Sequence, residues 1–146
     1  MVKDCDHRSV GVVIRNQQGR VLLIERGREP WGWACVSGHV DEDADKEGVH
    51  WDAAARREVQ EEVGLKLKHV WEVAQGRKKN VCRRNGGDWH YWVIFEAESD
   101  GEITIEPSEV KRYVWADSVT LQVLNERTKA WLSGQISMSE WRENPG

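Results

Sequence analysis

Three glutamates within five residues, Glu58, Glu61 and Glu62, are the side chains of this sequence best spaced to act together. They lie in Ala53-Ala54-Ala55-Arg56-Arg57-Glu58-Val59-Gln60-Glu61-Glu62-Val63-Gly64-Leu65. The alanines, arginines, glutamates and glutamine are good helix formers, and Gly64 suits the left-handed turn that ends a helix. The pattern predicts a helix over about 50–63. Wound at about 100° per residue, it sets Trp51, Ala55, Val59 and Val63 in one apolar stripe, with Glu58, Glu61 and Glu62 in a second stripe beside it. Like charges so placed repel by roughly 0.2–0.5 kcal/mol per pair on an exposed helix, and the edge of a buried face adds desolvation. A divalent cation removes both costs, and hard carboxylate oxygens suit Mg²⁺ or Mn²⁺. The same stripe also reads as a solvated acidic face with Arg57 paired to Glu61; spacing alone does not choose between them.

The chain leading into the helix narrows the choice. Trp33-Ala34-Cys35-Val36 is a short apolar run that reads as a strand, and Ser37-Gly38-His39-Val40-Asp41-Glu42 follows it as a glycine turn. Turn and helix together resemble the signature of the Nudix hydrolase family. That signature is a Gly, five residues, a Glu, seven residues, Arg-Glu, an aliphatic residue, any residue, Glu-Glu, any residue, Gly and an aliphatic residue. Arg57, Glu58, Val59, Glu61, Glu62, Gly64 and Leu65 meet its second half at every fixed position. The first half is stretched. Eighteen residues separate Gly38 from Arg57 where the family has thirteen, which places an insertion of five within 43–49. Counted back from Arg57, the family's first Glu falls at Val49; counted forward from Gly38, it falls at Ala44; Glu47 is the nearest shifted candidate. In the family that Glu mainly braces the loop, so the insertion bears on loop geometry more than on metal binding.

The elements that must hold this turn and helix follow along the chain. Residues 1–7 read as a frayed polar start. Ser9–Ile14 and Val21–Ile24 flank the turn Asn16-Gln17-Gln18-Gly19 and predict a hairpin. Arg26 and Arg28 stand in the next loop, where a guanidinium fork suits phosphate oxygens, although solvated surface arginines are the commoner case in loops. The acidic segment 41–48 reads as an exposed loop or as an outer carboxylate for a metal. Leu65 to Ala74 predicts a strand with Trp71 and Val73 inward. Residues 75–87 carry five basic residues and the turn Asn85-Gly86-Gly87, with flanks that pair as a hairpin; this is a basic lip for a polyphosphate or a solvated counterweight to the acidic segments. Trp89–Ala97, almost wholly apolar, predicts a central strand with Tyr91, Val93 and Phe95 on one face and His90, Trp92 and Ile94 on the other. Residues 101–105 read as a turn and short strand, and Tyr113-Val114-Trp115 as another. A C-terminal helix is expected from Asp117 or Ser118, with Leu121, Leu124, Trp131 and Leu132 on its apolar side and its end at Ser133-Gly134.

At 146 residues the chain is read as one domain, 1–146. Its net charge of −4 argues against a stable nucleic-acid partner, which would call for a basic surface. The three cysteines, Cys5, Cys35 and Cys82, are odd in number, far apart and without CxxC spacing, so neither a disulfide framework nor a zinc site is favoured. No apolar run reaches transmembrane length and no signal-peptide core is present, so the expectation is a cytoplasmic protein without membrane contact. Nine tryptophans would suit a dimer face where exposed, so monomer and homodimer both stay open.

Strands around one helix with a second helix near the end fit a layered α+β domain. The resemblance sharpens this to an α-β-α sandwich with a mixed, curved sheet. It implies an enzyme, a metal-dependent pyrophosphohydrolase of a nucleoside diphosphate linked to another group, nucleoside triphosphates foremost, with ADP-ribose, dinucleoside polyphosphates and RNA 5′ ends as alternatives. By resemblance, Glu58, Glu61 and Glu62 hold one to three Mg²⁺ (or Mn²⁺) ions, the Gly38 carbonyl is a further candidate ligand, and Arg57 orients the glutamates. Glu58 or Glu61 is the candidate base. A late loop acid ahead of a strand ending in Trp is a further family trait, and Glu109 stands there. Trp33, Arg26 and Trp92 are the candidate substrate contacts, with Trp89 and Tyr91 as further aromatics. A catalytically silent nucleotide-binding module is the competing reading, and an α–β protein with a merely acidic surface helix is a third.

Overall fold

A computed structural model describes residues 2–28 and 31–117. Strand β1 (Arg8–Arg15) is the centre of the sheet. Its run of small and β-branched residues is buried on both faces, as a strand with neighbours on either side requires. It runs parallel to β8 (His90–Glu98) along its whole length, from Arg8 opposite Tyr91 to Arg15 opposite Glu98. On its other edge, Ser9 to Val12 pair antiparallel with β4 (Val36–His39). The hairpin expected of 9–14 and 21–24 therefore closes only at Arg15 opposite Val21. With residues 9–12 engaged by β4, β2 (Val21–Arg26) leans away and pairs with β3 (Trp33–Ala34) and with β9 (Val110–Ala116). β7 (His69–Lys78) lies antiparallel on β8 and forms the far edge. The result is one seven-stranded mixed sheet.

The helix α1 spans Trp51–Val63, and Gly64 ends it with φ 68°, its N–H donating to the Gln60 carbonyl at 3.1 Å. Ala54, Ala55, Val59 and Val63 pack onto one sheet face with Val10, Val12, Ile14, Val93 and Phe95. Trp92 and Ile94 turn to the opposite face and join Val13, Leu23 and Ala74. The alternation expected of β8 thus separates two cores.

Three other expectations need correction. Residues 101–105 form no strand: the Thr104 and Glu106 N–H groups donate to the Val63 and Glu62 carbonyls at 2.9 and 3.0 Å, so the segment caps the C-terminal turn of α1. On β7 the register shifts between Glu72 and Ala74, and Trp71, on a sheet edge, is 41% exposed rather than inward. The amino-terminal arm is tied down rather than frayed, with Cys5 N–H donating to the Asn85 carbonyl and Asn85 N–H to the Lys3 carbonyl. The insertion folds on itself as a two-stranded hairpin, β5 (Ala44–Asp45) and β6 (Gly48–Val49), outside the main sheet. The expected C-terminal helix lies outside the described residues. No helix among the described residues is long and apolar enough to cross a membrane.

Candidate active site

The end of β4 and the exposed flank of α1 face one another. Gly38 is required at that crossing. A Cβ there would lie 2.1 Å from the Glu58 carboxyl carbon and 2.3 Å from both its oxygens, so the carboxylate rests against bare backbone. Arg57, one residue earlier, ties the loop to the helix. Its Nη2 donates to the His39 and Val40 carbonyls at 2.9 and 3.1 Å, its Nε to Asp43 at 2.7 Å, and its Nη1 to Glu58 at 3.0 Å and Glu61 at 3.3 Å. One guanidinium thus fixes the end of β4, the mouth of the inserted hairpin and two of the three glutamates.

The glutamates divide by depth. Glu62 is 5% exposed, the Glu58 side chain 14% and the Glu61 side chain 57%. Burial pushes the Glu58 carboxyl up to about 7, with Arg57 opposing and Glu61 adding to the rise. Burial and then the charge of Glu58 push Glu62 well above the ordinary carboxylate range. Glu62 Oε2 is buried and has no hydrogen-bond partner. A buried carboxyl with an unused oxygen, beside a half-buried one, fits a hard divalent cation, which would restore their charged form.

These groups line a cavity of ≈ 540 Å³. Arg26 reaches it from the end of β2, its guanidinium pKa lowered by burial. Arg28 pairs with Glu109 at 2.8 Å on the same wall, so the late loop acid does stand beside the glutamates. Trp92 borders the cavity, buried, with its indole N–H on Asn80. Trp33 does not line it; it pairs with Glu25 in the sheet, beneath Arg112. Glu47 is exposed at the tip of the inserted hairpin, and Asp43 takes the loop-bracing place beside Arg57. The sequence offers Asp43 only as one member of the acidic segment 41–48, because the insertion hides the register. Of the basic lip, Arg83 and Arg84 line the cavity, but Arg84 is held by both oxygens of Asp41 at 2.7 and 2.8 Å, while Arg77 stacks on Trp89 at 4.0 Å.

The class defined by this sheet and helix is that of α+β domains built on a mixed sheet. Within it the chain belongs to the Nudix family: the family model for the NUDIX domain matches residues 6–137. Nudix hydrolases generally use divalent metal ions. The RNA pyrophosphohydrolase of Methylococcus capsulatus is 29% identical over 126 residues, an alignment covering 75% of this chain; the chain spans 62% of that relative's length. Among solved structures, the E. coli dihydroneopterin triphosphate pyrophosphohydrolase is similar with a TM-score of 0.72 at 25% identity, covering 97% of this chain and 99% of that one. The NUDIX domain of Shewanella oneidensis NrtR, complexed with ADP ribose, has a TM-score of 0.62 at 16% identity, with 89% and 90% covered.

Proposed function

We propose that this chain, acting as a single Nudix domain over 1–146, is a cytoplasmic Mg²⁺- (or Mn²⁺-) dependent pyrophosphohydrolase of a nucleoside triphosphate or a closely similar ring-bearing triphosphate. The observation that carries this reading is the buried, unpartnered Glu62 oxygen beside the half-buried carboxyl of Glu58, in a cavity reached by Arg26 and Arg28. Glu58 and Glu62 would hold the cation with Glu61 at the rim, and the Gly38 carbonyl is the candidate for a further ligand. When bound, the ion neutralises phosphate oxygens and acidifies water. Arg57 keeps Glu58 and Glu61 aimed. Arg26 and Arg28 bind the phosphate chain, Arg28 exchanging Glu109 for phosphate oxygens. Glu61, the exposed member, takes a proton from the attacking water. The water oxygen bonds to phosphorus as the phosphoanhydride P–O bond breaks, leaving a monophosphate and pyrophosphate. Trp92 walls the cavity near the ring. The names of the two pyrophosphohydrolase relatives support this class, one of them acting on a triphosphate.

The test is a panel of nucleoside triphosphates, dihydroneopterin triphosphate, ADP-ribose, a dinucleoside polyphosphate and 5′-triphosphorylated RNA, assayed with Mg²⁺ and after its removal. Turnover should need Mg²⁺ and fall by about 10²-fold or more in Glu61→Gln and Glu62→Gln. Glu62→Gln should also raise the thermal stability of the Mg²⁺-free protein, and increasingly so as pH rises, since the amide never has to ionise where burial resists it. Binding without turnover across the panel would assign a silent nucleotide-binding module instead.

A further inference from the structure

Beside the carboxylates lies a second set of ligand-type groups with different chemistry. Among the described residues, Cys5, His39, Cys82 and His90 bring one ligand atom each to within 4.8 Å of one another. Cys5 Sγ is 3.3 Å from His90 Nε2 and 3.6 Å from His39 Nε2. With Zn–S of about 2.3 Å and Zn–N of about 2.0–2.1 Å, a tetrahedral ion separates sulfur from nitrogen by about 3.5 Å. The observed pairs already have that spacing.

Cys5 faces two imidazole nitrogens with one S–H proton, so without a metal one ring accepts from the thiol and the other donates to its sulfur. The tautomer of His90 is set from behind. Trp92 Nε1 can only donate, and it donates to Asn80 Oδ1 at 3.0 Å. That oxygen therefore accepts from His90 Nδ1, also at 3.0 Å. The Nδ1 proton leaves a bare lone pair on His90 Nε2, aimed into the cluster. This is how a metal-binding histidine is held by its outer partner. Both sulfurs are also arranged as acceptors in the same way. The N–H two residues on donates to each, from His7 to Cys5 at 3.3 Å and from Arg84 to Cys82 at 3.4 Å. Gly87 makes room for the second sulfur: a Cβ there would lie 2.1 Å from Cys82 Sγ.

We propose that Cys5, His39, Cys82 and His90 form a tetrahedral zinc site, structural in role, which borders the same cavity as the glutamates through His39, Cys82 and His90 but shares no ligand with them. Two thiolates and two neutral imidazoles are a soft donor set that selects Zn²⁺ over Mg²⁺, and their charges sum to neutrality with the ion. Four protein ligands close the coordination sphere. Binding releases the two thiol protons to solvent, with no change of oxidation state. The ion would tie the amino-terminal arm and the 79–89 connection to the ends of β4 and β8. His39 is the residue after Gly38, so the clamp would hold the strand end on which the Glu58 carboxylate rests.

Metal analysis of the full chain should find one zinc per molecule, retained by Cys35→Ala, whose sulfur is buried elsewhere in the core, and lost in Cys5→Ser, Cys82→Ser and His90→Gln. Cobalt should substitute with the visible absorption of a tetrahedral ion and a thiolate-to-cobalt charge-transfer band. Should a ligand variant fail to fold, the wild-type chain stripped of zinc and titrated against a chromophoric chelator decides the point: one equivalent should bind with sub-micromolar affinity. Asn80→Ala, which removes no ligand, should weaken that affinity by about 10–100-fold. A folded protein that binds no zinc, a cobalt spectrum without thiolate charge transfer, or a Cys5–Cys82 disulfide in the protein as isolated would overturn the site.

Discussion

At the residue scale, the site depends on carboxyls that keep their protons to unusually high pH. A carboxyl whose pKa is higher in the folded than in the unfolded chain binds protons more tightly when folded. Its contribution to stability is full below the ordinary glutamate value of 4.5 and is lost as pH climbs through about 7 for Glu58, with Glu62 acting in the same sense. The melting temperature of the Mg²⁺-free protein should therefore fall between about pH 5 and pH 7.5. Mg²⁺ should raise it more at the upper end, where the carboxylates are charged and the cation relieves their burial. Equal Mg²⁺ effects at both pH values would contradict this account. Gly38→Ala isolates the geometry. Gly38 has no positive φ, so alanine adds little backbone strain, and what must move is the far end of the Glu58 side chain. Stability should change by less than about 1 kcal/mol while kcat/KM falls by about 10²-fold, as for a catalytic group displaced by an ångström. Denaturant unfolding and turnover measured on the same preparation separate the two effects.

At the element scale, the inserted hairpin and the helix cap make opposite demands. The hairpin closes on itself, so its tip should be dispensable: Glu47→Ala should leave turnover unchanged. Asp43, which holds Arg57 Nε at 2.7 Å, should not be dispensable, and Asp43→Ala should lower kcat by about tenfold with the fold intact by circular dichroism. Equal effects of the two substitutions would show that Arg57 does not need its loop partner. Gly64→Ala places a side chain at φ 68°, with the Thr104 carbonyl 3.2 Å from the new Cβ. It should cost about 1–2 kcal/mol in denaturant unfolding. Both helix and cap were legible in the sequence because their signals are local: the glutamate stripe, the apolar stripe and Gly64 all lie within one helix length. The alternation of β8 was legible for the same reason. Asp43 was hidden because inserted residues have no register to be counted from. The phase of Trp71 was hidden by a bulge, which the period of two does not announce.

At the scale of the whole molecule, what the sequence conceals is pairing at a distance. Nothing local says that β1 takes β8 as its parallel neighbour and leaves β2 after one pair, or that Cys5 and Cys82 converge on His39 and His90. Spacing rules for cysteines see only CxxC-like neighbours, and here the ligands come from the chain start, a strand end, a connection and a strand start. That topology also sets an order in time. Cys5 and His90 are 85 residues apart, and every parallel pair of β1 spans a similar length of chain. As the protein emerges from the ribosome, the middle of its sheet has an open flank until β8 has followed it out. Loop closure over such lengths slows the search. Refolding should accordingly take milliseconds to seconds rather than microseconds, which stopped-flow tryptophan fluorescence would read. Nascent chains halted before β8 should remain open to protease where those halted well beyond it resist. The arm before β1, synthesised ahead of the 79–89 connection and β8 that hold it, would be among the last parts to find its place.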